Sequence, residues 1–256
     1  MAIELKKRRG RPSWHKLAVS QVRALTDDAL EVSLAVPEHL RAVFDFKPGQ
    51  HLTFQRVEPD GREVRRSYSL ASTPRELAED GTLRLGIKFV PEGSFSAYAK
   101  RSLAVGDVLE VLPPLGSFCT DIDAGRHYGS IVAGSGITPI LSIAAAALEE
   151  GATFTMLYSN RTESSTMFGE ELRELAERHG ERMRLHHVRT RAEGADPLLT
   201  GRLTPDRLRK VFDGLVDPHE VDEWFLCGPY DMVLGVKEVL EESGASLIHT
   251  ELYYVD

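Results

Sequence analysis

The pattern of apolar runs and turn residues changes once along this chain, near residue 124, and this change constrains the fold more than any other feature. From about Trp14 to Cys119, short strand-like stretches such as LEVSLAV, HLTFQRV and LRLGIKFV are separated by the turn signals PG, PDG and DG. Many short strands with close turns are typical of a β-barrel or sandwich. After residue 124, strand-like and helical stretches alternate, which is typical of a doubly wound parallel sheet. We therefore predict a basic tail over residues 1–13, an all-β domain over 14–124 and an α/β domain over 125–256.

Helix signals are unevenly distributed between the two predicted domains. In the all-β domain we predict one helix, Phe95 to Leu103. In the α/β domain, Thr204-Pro205-Asp206 predicts a helix start, because threonine caps the first turn, proline tolerates the first position and an acid favours the positive helix end.

Composition narrows the classes of function. No apolar run reaches the ~18 to 20 residues of a membrane span, and the N-terminus lacks the apolar core of a secretory signal, so we expect a cytoplasmic protein without membrane partners. A net charge of -8 disfavours nucleic-acid binding. The local basic patch of Lys6, Lys7, Arg8, Arg9 and Arg11 is either a solvated terminus or a docking site for an acidic partner protein. We expect no metal site within the chain, because Cys119 and Cys227 are its only cysteines.

A glycine turn follows the first apolar strand of the α/β domain. In Val132-Ala133-Gly134-Ser135-Gly136-Ile137-Thr138-Pro139, Gly134 and Gly136 allow backbone N–H groups to approach a pyrophosphate at a helix N-terminus. Pro139 replaces the third glycine of the usual fingerprint, and proline suits the first helical turn. A purely structural strand-to-helix turn remains the alternative.

Two further strands of the α/β domain, the second and the fourth, also end in polar or unusual residues. Ser159 and Arg161 follow the second strand, where a hydroxyl and an arginine suit the 2'-phosphate of NADPH, although nearby Glu163 leaves NADH possible and an ordinary surface turn would use the same residues. The later stretch Cys227-Gly228-Pro229 also stands at a strand's carboxyl end, where open α/β sheets bind ligands. Cys227 is either part of such a site or a small buried hydrophobe.

Two adjacent arginines interrupt a half-buried strand of the all-β domain. In Arg65-Arg66-Ser67-Tyr68-Ser69-Leu70, alternation puts Arg66 and Tyr68 on one face. An arginine there is costly without an anionic partner, and a pyrophosphate would supply one. The alternative is an edge strand with solvated arginines. The turn at Gly93, Ser94 and Ser96 opens the predicted helix and offers further N–H donors, or is a plain helix cap.

Taken together and in order, these motifs resemble the ferredoxin-NADP reductase superfamily. The resemblance spans the chain from about Trp14 and includes the terminal Glu251-Leu252-Tyr253. The stretches PPLGSF at 113–118 and YSNRT at 158–162 are most similar to the reductase subunit of phenylacetyl-CoA epoxidase and related oxygenase reductases. The resemblance implies a six-stranded antiparallel β-barrel that holds FAD, a doubly wound parallel-sheet domain that binds the nicotinamide, and an active site between them.

The resemblance also implies roles for individual residues. Arg66 would meet the FAD pyrophosphate, Tyr68 would pack along the flavin, and Ser69 would hydrogen-bond near flavin N5. The remaining FAD contacts would come from Gly93, Ser94 and Ser96, and the NADPH contacts from Gly134, Gly136, Thr138, Pro139, Ser159, Arg161, Cys227, Gly228 and Pro229. Ser69, Cys227, Glu251 and Tyr253 would form the catalytic site, with Tyr253 where phenylalanine is commoner.

The implied reaction is hydride transfer from NADPH to FAD, followed by single-electron transfers to an iron-sulfur acceptor that serves an oxygenase component. Relatives of this type carry a C-terminal ferredoxin domain with four cysteine ligands, which this chain lacks, so we expect either a reductase core cut from a longer protein or a separate ferredoxin. The alternatives are a reductase of free flavin, haem or oxygen, and a non-catalytic subunit that holds a cofactor inside a larger complex.

Overall fold

Two sheets, one antiparallel and one parallel, form the core of the protein. The computed structural model describes residues 13–58, 60–90, 94–191 and 196–253, so the basic patch at Lys6 to Arg11 lies outside the described residues. The strands are β1 His15–Thr26, β2 Ala29–Ala35, β3 His51–Val57, β4 Glu63–Ser69, β5 Thr82–Lys88, β6 Val108–Val111, β7 His127–Ala133, β8 Thr153–Asn160, β9 Met183–Arg189, β10 Glu223–Pro229 and β11 Ile248–Tyr253. The helices are α1 Glu38–Arg41, α2 Pro74–Asp80, α3 Ser94–Ser102, α4 Ile137–Glu149, α5 Gly169–His179, α6 Pro205–Gly214 and α7 Tyr230–Glu242.

The first sheet is antiparallel, with the strand order β4-β3-β6-β1-β2-β5. Its two ends meet just after β4, where Leu70 pairs with Leu85 of β5 and the Ala71 N–H donates to the Arg84 carbonyl at 2.7 Å. This contact closes the sheet into a barrel around fully buried side chains such as Leu52 and Phe54. The predicted six-stranded antiparallel barrel is confirmed.

The prediction of a single helix in the barrel half is wrong. The predicted Phe95 to Leu103 corresponds to α3, but the structure adds the one-turn α1 and the capped α2. Thr73 caps α2, because its hydroxyl accepts from the Glu76 N–H at 3.3 Å while its own N–H donates to the Glu76 carboxylate at 3.0 Å. This reciprocal capping box, with proline at the first helical position, stabilises a helix of only seven residues.

The second sheet is parallel, with the strand order β11-β10-β7-β8-β9. Helices α4 and α5 bury their apolar sides against one face, and α6 and α7 against the other. The predicted doubly wound sheet is therefore confirmed. The chain reverses its direction of strand addition between the neighbouring strands β7 and β10, and ligands of such sheets bind beyond the carboxyl ends of the strands at this point. Within the described ranges, no helix combines the length and the apolar character needed to cross a membrane.

Candidate active site between the two sheets

Four of the predicted residues meet where the barrel touches the parallel sheet. The parallel register of β10 and β11 places Cys227 beside Glu251 and Pro229 beside Tyr253. Ser69, the last residue of β4, reaches them from the barrel: its hydroxyl donates to the Glu251 carboxylate at 3.3 Å and lies 3.1 Å from the Tyr253 hydroxyl. The Cys227 thiol donates to the same carboxylate at 4.0 Å. We call Ser69, Cys227, Glu251 and Tyr253 the junction cluster.

Burial controls the protonation of the junction cluster. It raises the pKa of the Glu251 carboxyl, although hydrogen bonds from Ser69 and Tyr253 act in the opposite direction. Burial and then the charge of Glu251 raise the pKa of the Cys227 thiol well above its ordinary value. Burial also raises the pKa of the Tyr253 hydroxyl. Cys227 and Tyr253 are therefore uncharged at neutral pH and can donate hydrogen bonds, the thiol only weakly.

The barrel side of the site is aromatic, with an arginine at its edge. Tyr68 lies opposite Leu52 on β3 and packs edge-on against Phe54, with ring centroids 6.0 Å apart. Burial raises the pKa of Tyr68 to about 12, although the charge of Arg66 acts to lower it. Arg66 itself is exposed, so the expectation that it lies in a half-buried position is wrong. Its guanidinium donates to the Arg65 carbonyl at 2.8 Å.

The predicted turn before α3 is described only in part. Gly93 lies outside the described residues, as does the side chain of Ser94. Ser96 is buried in the first turn of α3, and its hydroxyl accepts from the Val90 N–H at 3.3 Å.

The glycine turn after β7 is closely packed against the junction cluster. Gly134 to Gly136 form a single 3-10 turn that leads into α4, whose first turn contains Thr138 and Pro139. A Cβ atom at Gly136 would lie 2.4 Å from the Cys227 carbonyl oxygen. At Gly134, φ is +55° and a Cβ atom would meet nothing within 4 Å. The first glycine supplies a left-handed conformation and open space, and the second allows close approach to Cys227.

Two hydroxyl groups hold the glycine turn in place. The Thr138 hydroxyl donates to the Ser135 carbonyl at 3.0 Å. The buried Tyr158 hydroxyl donates to the Gly134 carbonyl at 3.0 Å, which ties the turn to β8. Both bonds use carbonyl groups, and neither occupies a backbone N–H group at the start of the helix, the kind of donor that binds an anion there.

At the end of β8, Ser159 is buried and Arg161 is exposed. The neighbouring β9 brings two further arginines, which the sequence analysis missed: Arg189 lies opposite Asn160 in the parallel register, and the Arg191 N–H donates to the Arg161 carbonyl at 3.0 Å. Arg189 donates to Thr166 at 3.0 Å, and burial lowers its pKa. The signal that could have found them is an arginine at the end of each of two consecutive strands.

Comparisons with known proteins match each half of the chain to a cofactor-binding domain of oxidoreductases. A family model described as an oxidoreductase FAD-binding domain matches residues 16–119, and one described as an oxidoreductase NAD-binding domain matches residues 131–238. A component of 1,2-phenylacetyl-CoA epoxidase from Escherichia coli is 35% identical, with 94% of this chain and 68% of the relative covered. The ferredoxin reductase component of 3-ketosteroid-9-alpha-monooxygenase from Rhodococcus rhodochrous is also 35% identical, with 93% and 64% covered. The chain thus spans about two thirds of these relatives.

Solved structures share the fold. A ferredoxin reductase in carbazole 1,9a-dioxygenase has a TM-score of 0.74 at 25% identity, with 96% of this chain and 71% of that chain covered. A ferredoxin NADP+ reductase from Neisseria gonorrhoeae with bound FAD and NADP has a TM-score of 0.76 at 22% identity, with 94% and 99% covered. The likeness to this second structure concerns the fold alone.

Proposed function

Because the chain belongs to the ferredoxin-NADP reductase superfamily of FAD- and NAD-binding oxidoreductases, we propose that it is an NADPH-dependent reductase that supplies electrons to an oxygenase through an iron-sulfur acceptor. The observation that carries this proposal is the junction cluster. It brings Ser69, from the FAD-binding half, into hydrogen-bond contact with Glu251, from the NAD-binding half. A reaction between two cofactors requires such a meeting of the two halves.

FAD, when bound, accepts a hydride from reduced nicotinamide and passes electrons on singly. The residues proposed to hold it fit the group. Arg66 is exposed beside Tyr68, where its guanidinium can pair with a pyrophosphate, and the buried ring of Tyr68 offers an apolar surface to a flavin. Ser96 stands at the start of α3, next to Phe95, whose ring centroid lies 5.5 Å from that of Tyr68.

The glycine turn fits a dinucleotide pyrophosphate. Gly136 allows the turn to lie against Cys227, and the bonds from Thr138 and Tyr158 use carbonyl groups of the turn and none of its N–H groups. Gly228 and Pro229 continue from Cys227 at the adjacent strand end, beside Leu252 and Tyr253 of β11. A flat ring can approach backbone closely at a glycine.

We propose NADPH as the preferred donor because positive charge surrounds the end of β8. Arg161, Arg189 and Arg191 are brought together by the ends of β8 and β9, with buried Ser159 beside them. Arginines match the geometry of a phosphate and hold their charge at all relevant pH values. Glu163 is the nearby carboxylate that would favour NADH, and its charge acts on Arg189.

The junction cluster would orient the two rings and exclude water. Cys227 is fully buried and, with its raised pKa, stays an uncharged thiol that packs as an apolar group. Glu251 accepts hydrogen bonds from Ser69 and Tyr253, which fixes the position of the Ser69 hydroxyl between the two halves. These residues position and shield, and none has to accept a proton during hydride transfer.

The acceptor is proposed from the relatives. One is named a ferredoxin reductase component of a monooxygenase and another belongs to an epoxidase, so an oxygenase system with an iron-sulfur protein or domain is the proposed partner. Other relatives are named flavohemoprotein and NADH-cytochrome b5 reductase, which makes haem acceptors the competitors to test.

The test is a comparison of acceptors. With NADPH as donor, we expect the FAD-loaded protein to reduce a 2Fe-2S ferredoxin faster than cytochrome b5 or free flavin mononucleotide. Reduction of cytochrome b5 or free flavin at an equal or higher rate contradicts the proposed acceptor, while leaving the FAD and NADPH assignments to be judged separately.

A further inference from the structure

The outer face of β5 lies along the NAD-binding half. Leu83, Leu85 and Ile87 point into the barrel and are fully buried. Arg84 and Gly86 alternate with them and point outward. The NAD-binding half covers this outer face, so β5 belongs to the barrel on one side and to the contact between the halves on the other.

Three carboxylates surround the Arg84 guanidinium. It is 2.7 Å from Glu31 on β2, 2.7 Å from Glu76 on α2 and 2.7 Å from Glu171 on α5. The pair with Glu171 is bidentate, with a second bond at 3.1 Å. Only 18% of the Arg84 side chain is exposed. We call Arg84, Glu31, Glu76 and Glu171 the Arg84 cluster.

Glu171 is the member of the Arg84 cluster that comes from the NAD-binding half. Glu31 and Glu76 belong to the barrel half, so the two halves are joined by the Arg84–Glu171 pair. Burial by itself would lower the pKa of Arg84, but hydrogen bonds to Glu171 and Glu76 outweigh it, and the net shift is upward. A bidentate guanidinium-carboxylate pair in this geometry is directional as well as attractive.

The same strand face contacts the glycine-turn region. A Cβ atom at Gly86 would lie 3.0 Å from the Thr138 hydroxyl oxygen, 2.8 Å from Met167 and 3.0 Å from Phe168. Phe168 directly precedes α5, which carries Glu171, and has a left-handed φ of 55°. Arg84, which pairs with Glu171, therefore lies two residues along β5 from Gly86. Gly86 contacts Thr138 of α4, the helix that begins at the proposed pyrophosphate site.

A buried hydrogen bond also joins the two halves. Buried Ser142 on α4 donates from its hydroxyl to the Ser72 carbonyl in the barrel at 2.7 Å. Together with the Ser69–Glu251 bond of the junction cluster, it fixes two points between the halves, and bonds at two points still allow rotation about the line that joins them. The bidentate pair at Arg84 supplies a third point and a plane.

We propose that Arg84, through Glu171, is a positioning residue that fixes the orientation of the NAD-binding half on the barrel and thereby the approach of the nicotinamide to Ser69. This inference rests on the proposed function for its effect on the reaction. We expect no change in cofactor affinity when this pair is broken, because Glu171 belongs to neither the glycine turn nor the junction cluster.

The test replaces Glu171 by glutamine, which keeps the size of the side chain but removes its charge. The matched control is Glu170→Gln, one residue away, where an exposed carboxylate pairs with Arg173 of the same helix at 2.7 Å. Glu171→Asp is the conservative variant. Folding is checked by circular dichroism and bound FAD.

For Glu171→Gln we expect the radius of gyration by X-ray scattering to increase in the absence of nicotinamide. The rate of flavin reduction at saturating NADPH should fall on the order of tenfold to a hundredfold, the scale set by ångström-size misplacement, with the dissociation constant for NADPH unchanged. Glu170→Gln should match the native protein, and Glu171→Asp should lie between.

A Glu171→Gln protein with native scattering, or with a native rate of flavin reduction, overturns the inference. If the native protein itself shows no flavin reduction by NADPH, the proposed function fails instead. The scattering comparison between Glu171→Gln and Glu170→Gln then decides the orienting role alone.

Discussion

Substitution of Gly136 by alanine tests how the glycine turn and Cys227 fit together. Gly136 has φ of -58°, which alanine adopts without strain, so only the added methyl matters. The new Cβ would lie 2.4 Å from the Cys227 carbonyl oxygen and 2.7 Å from its carbonyl carbon. Both are backbone atoms that cannot rotate away, so the turn and β10 must separate by about 1 Å to restore van der Waals contact.

Overpacking of this kind costs about 1 to 3 kcal/mol. For a protein of this size, each kcal/mol lowers Tm by about 2 to 4 °C. The same separation increases the distance between the proposed pyrophosphate site and Cys227. We therefore expect the rate of flavin reduction by NADPH to fall on the order of a hundredfold.

The assay combines thermal unfolding with single-turnover reduction of the bound flavin. The control is Gly125→Ala, where a Cβ atom would meet only Asp123, at 3.4 Å, and where we expect native values. A Gly136→Ala protein with both native Tm and native reduction rate would falsify the packing of the turn against Cys227.

Three further predictions concern charged residues. Arg161→Ala should raise KM for NADPH about tenfold to a hundredfold, which corresponds to the ~1.5 to 3 kcal/mol of a charge-assisted hydrogen bond, and should leave KM for NADH nearly unchanged. Equal effects on both constants in steady-state kinetics would refute contact with the 2'-phosphate. Glu251→Gln should become more stable relative to the native protein as pH rises, because burial raises the pKa of Glu251 in the folded protein. The stability that the neutral carboxyl contributes is fully present below its unfolded pKa of ~4.3 and is lost as pH rises through its higher folded pKa. Urea unfolding between pH 4 and 8 measures this difference, and a constant difference would contradict it. Arg66→Ala should lose FAD during purification, measured as the ratio of flavin to protein absorbance, and native flavin content would contradict its contact with pyrophosphate.

Local signals predicted the architecture well where they did not depend on distant partners. Alternation of strands and helices predicted the parallel sheet, and the threonine cap with proline placed the start of α6 at Pro205, where the Thr204 hydroxyl accepts from the Arg207 N–H at 3.4 Å. The capping box at Thr73 carried a signal of the same kind and was overlooked because α2 lies inside a run of strands.

Contacts between distant segments could not be read from spacing. Glu251 lies 182 residues from Ser69, and the resemblance to a family, not the pattern of residues, brought them into one site. Arg84 looks like an ordinary strand arginine in the sequence, because its partners on β2, α2 and α5 are adjacent only after both halves fold. Arg66 shows the opposite case: the strand around it suggested a half-buried position, but Arg66 is exposed on β4, the first strand in the sheet order.

The most direct test of the reductase assignment is anaerobic mixing of the FAD-loaded protein with NADPH in a stopped-flow spectrometer, beside the same experiment with NADH. We predict that the oxidised flavin absorbance bleaches in a single turnover and that NADPH bleaches it faster than NADH at equal concentration. A protein that cannot be reconstituted with FAD, or whose bound flavin keeps its oxidised spectrum with both nucleotides, would contradict the assignment.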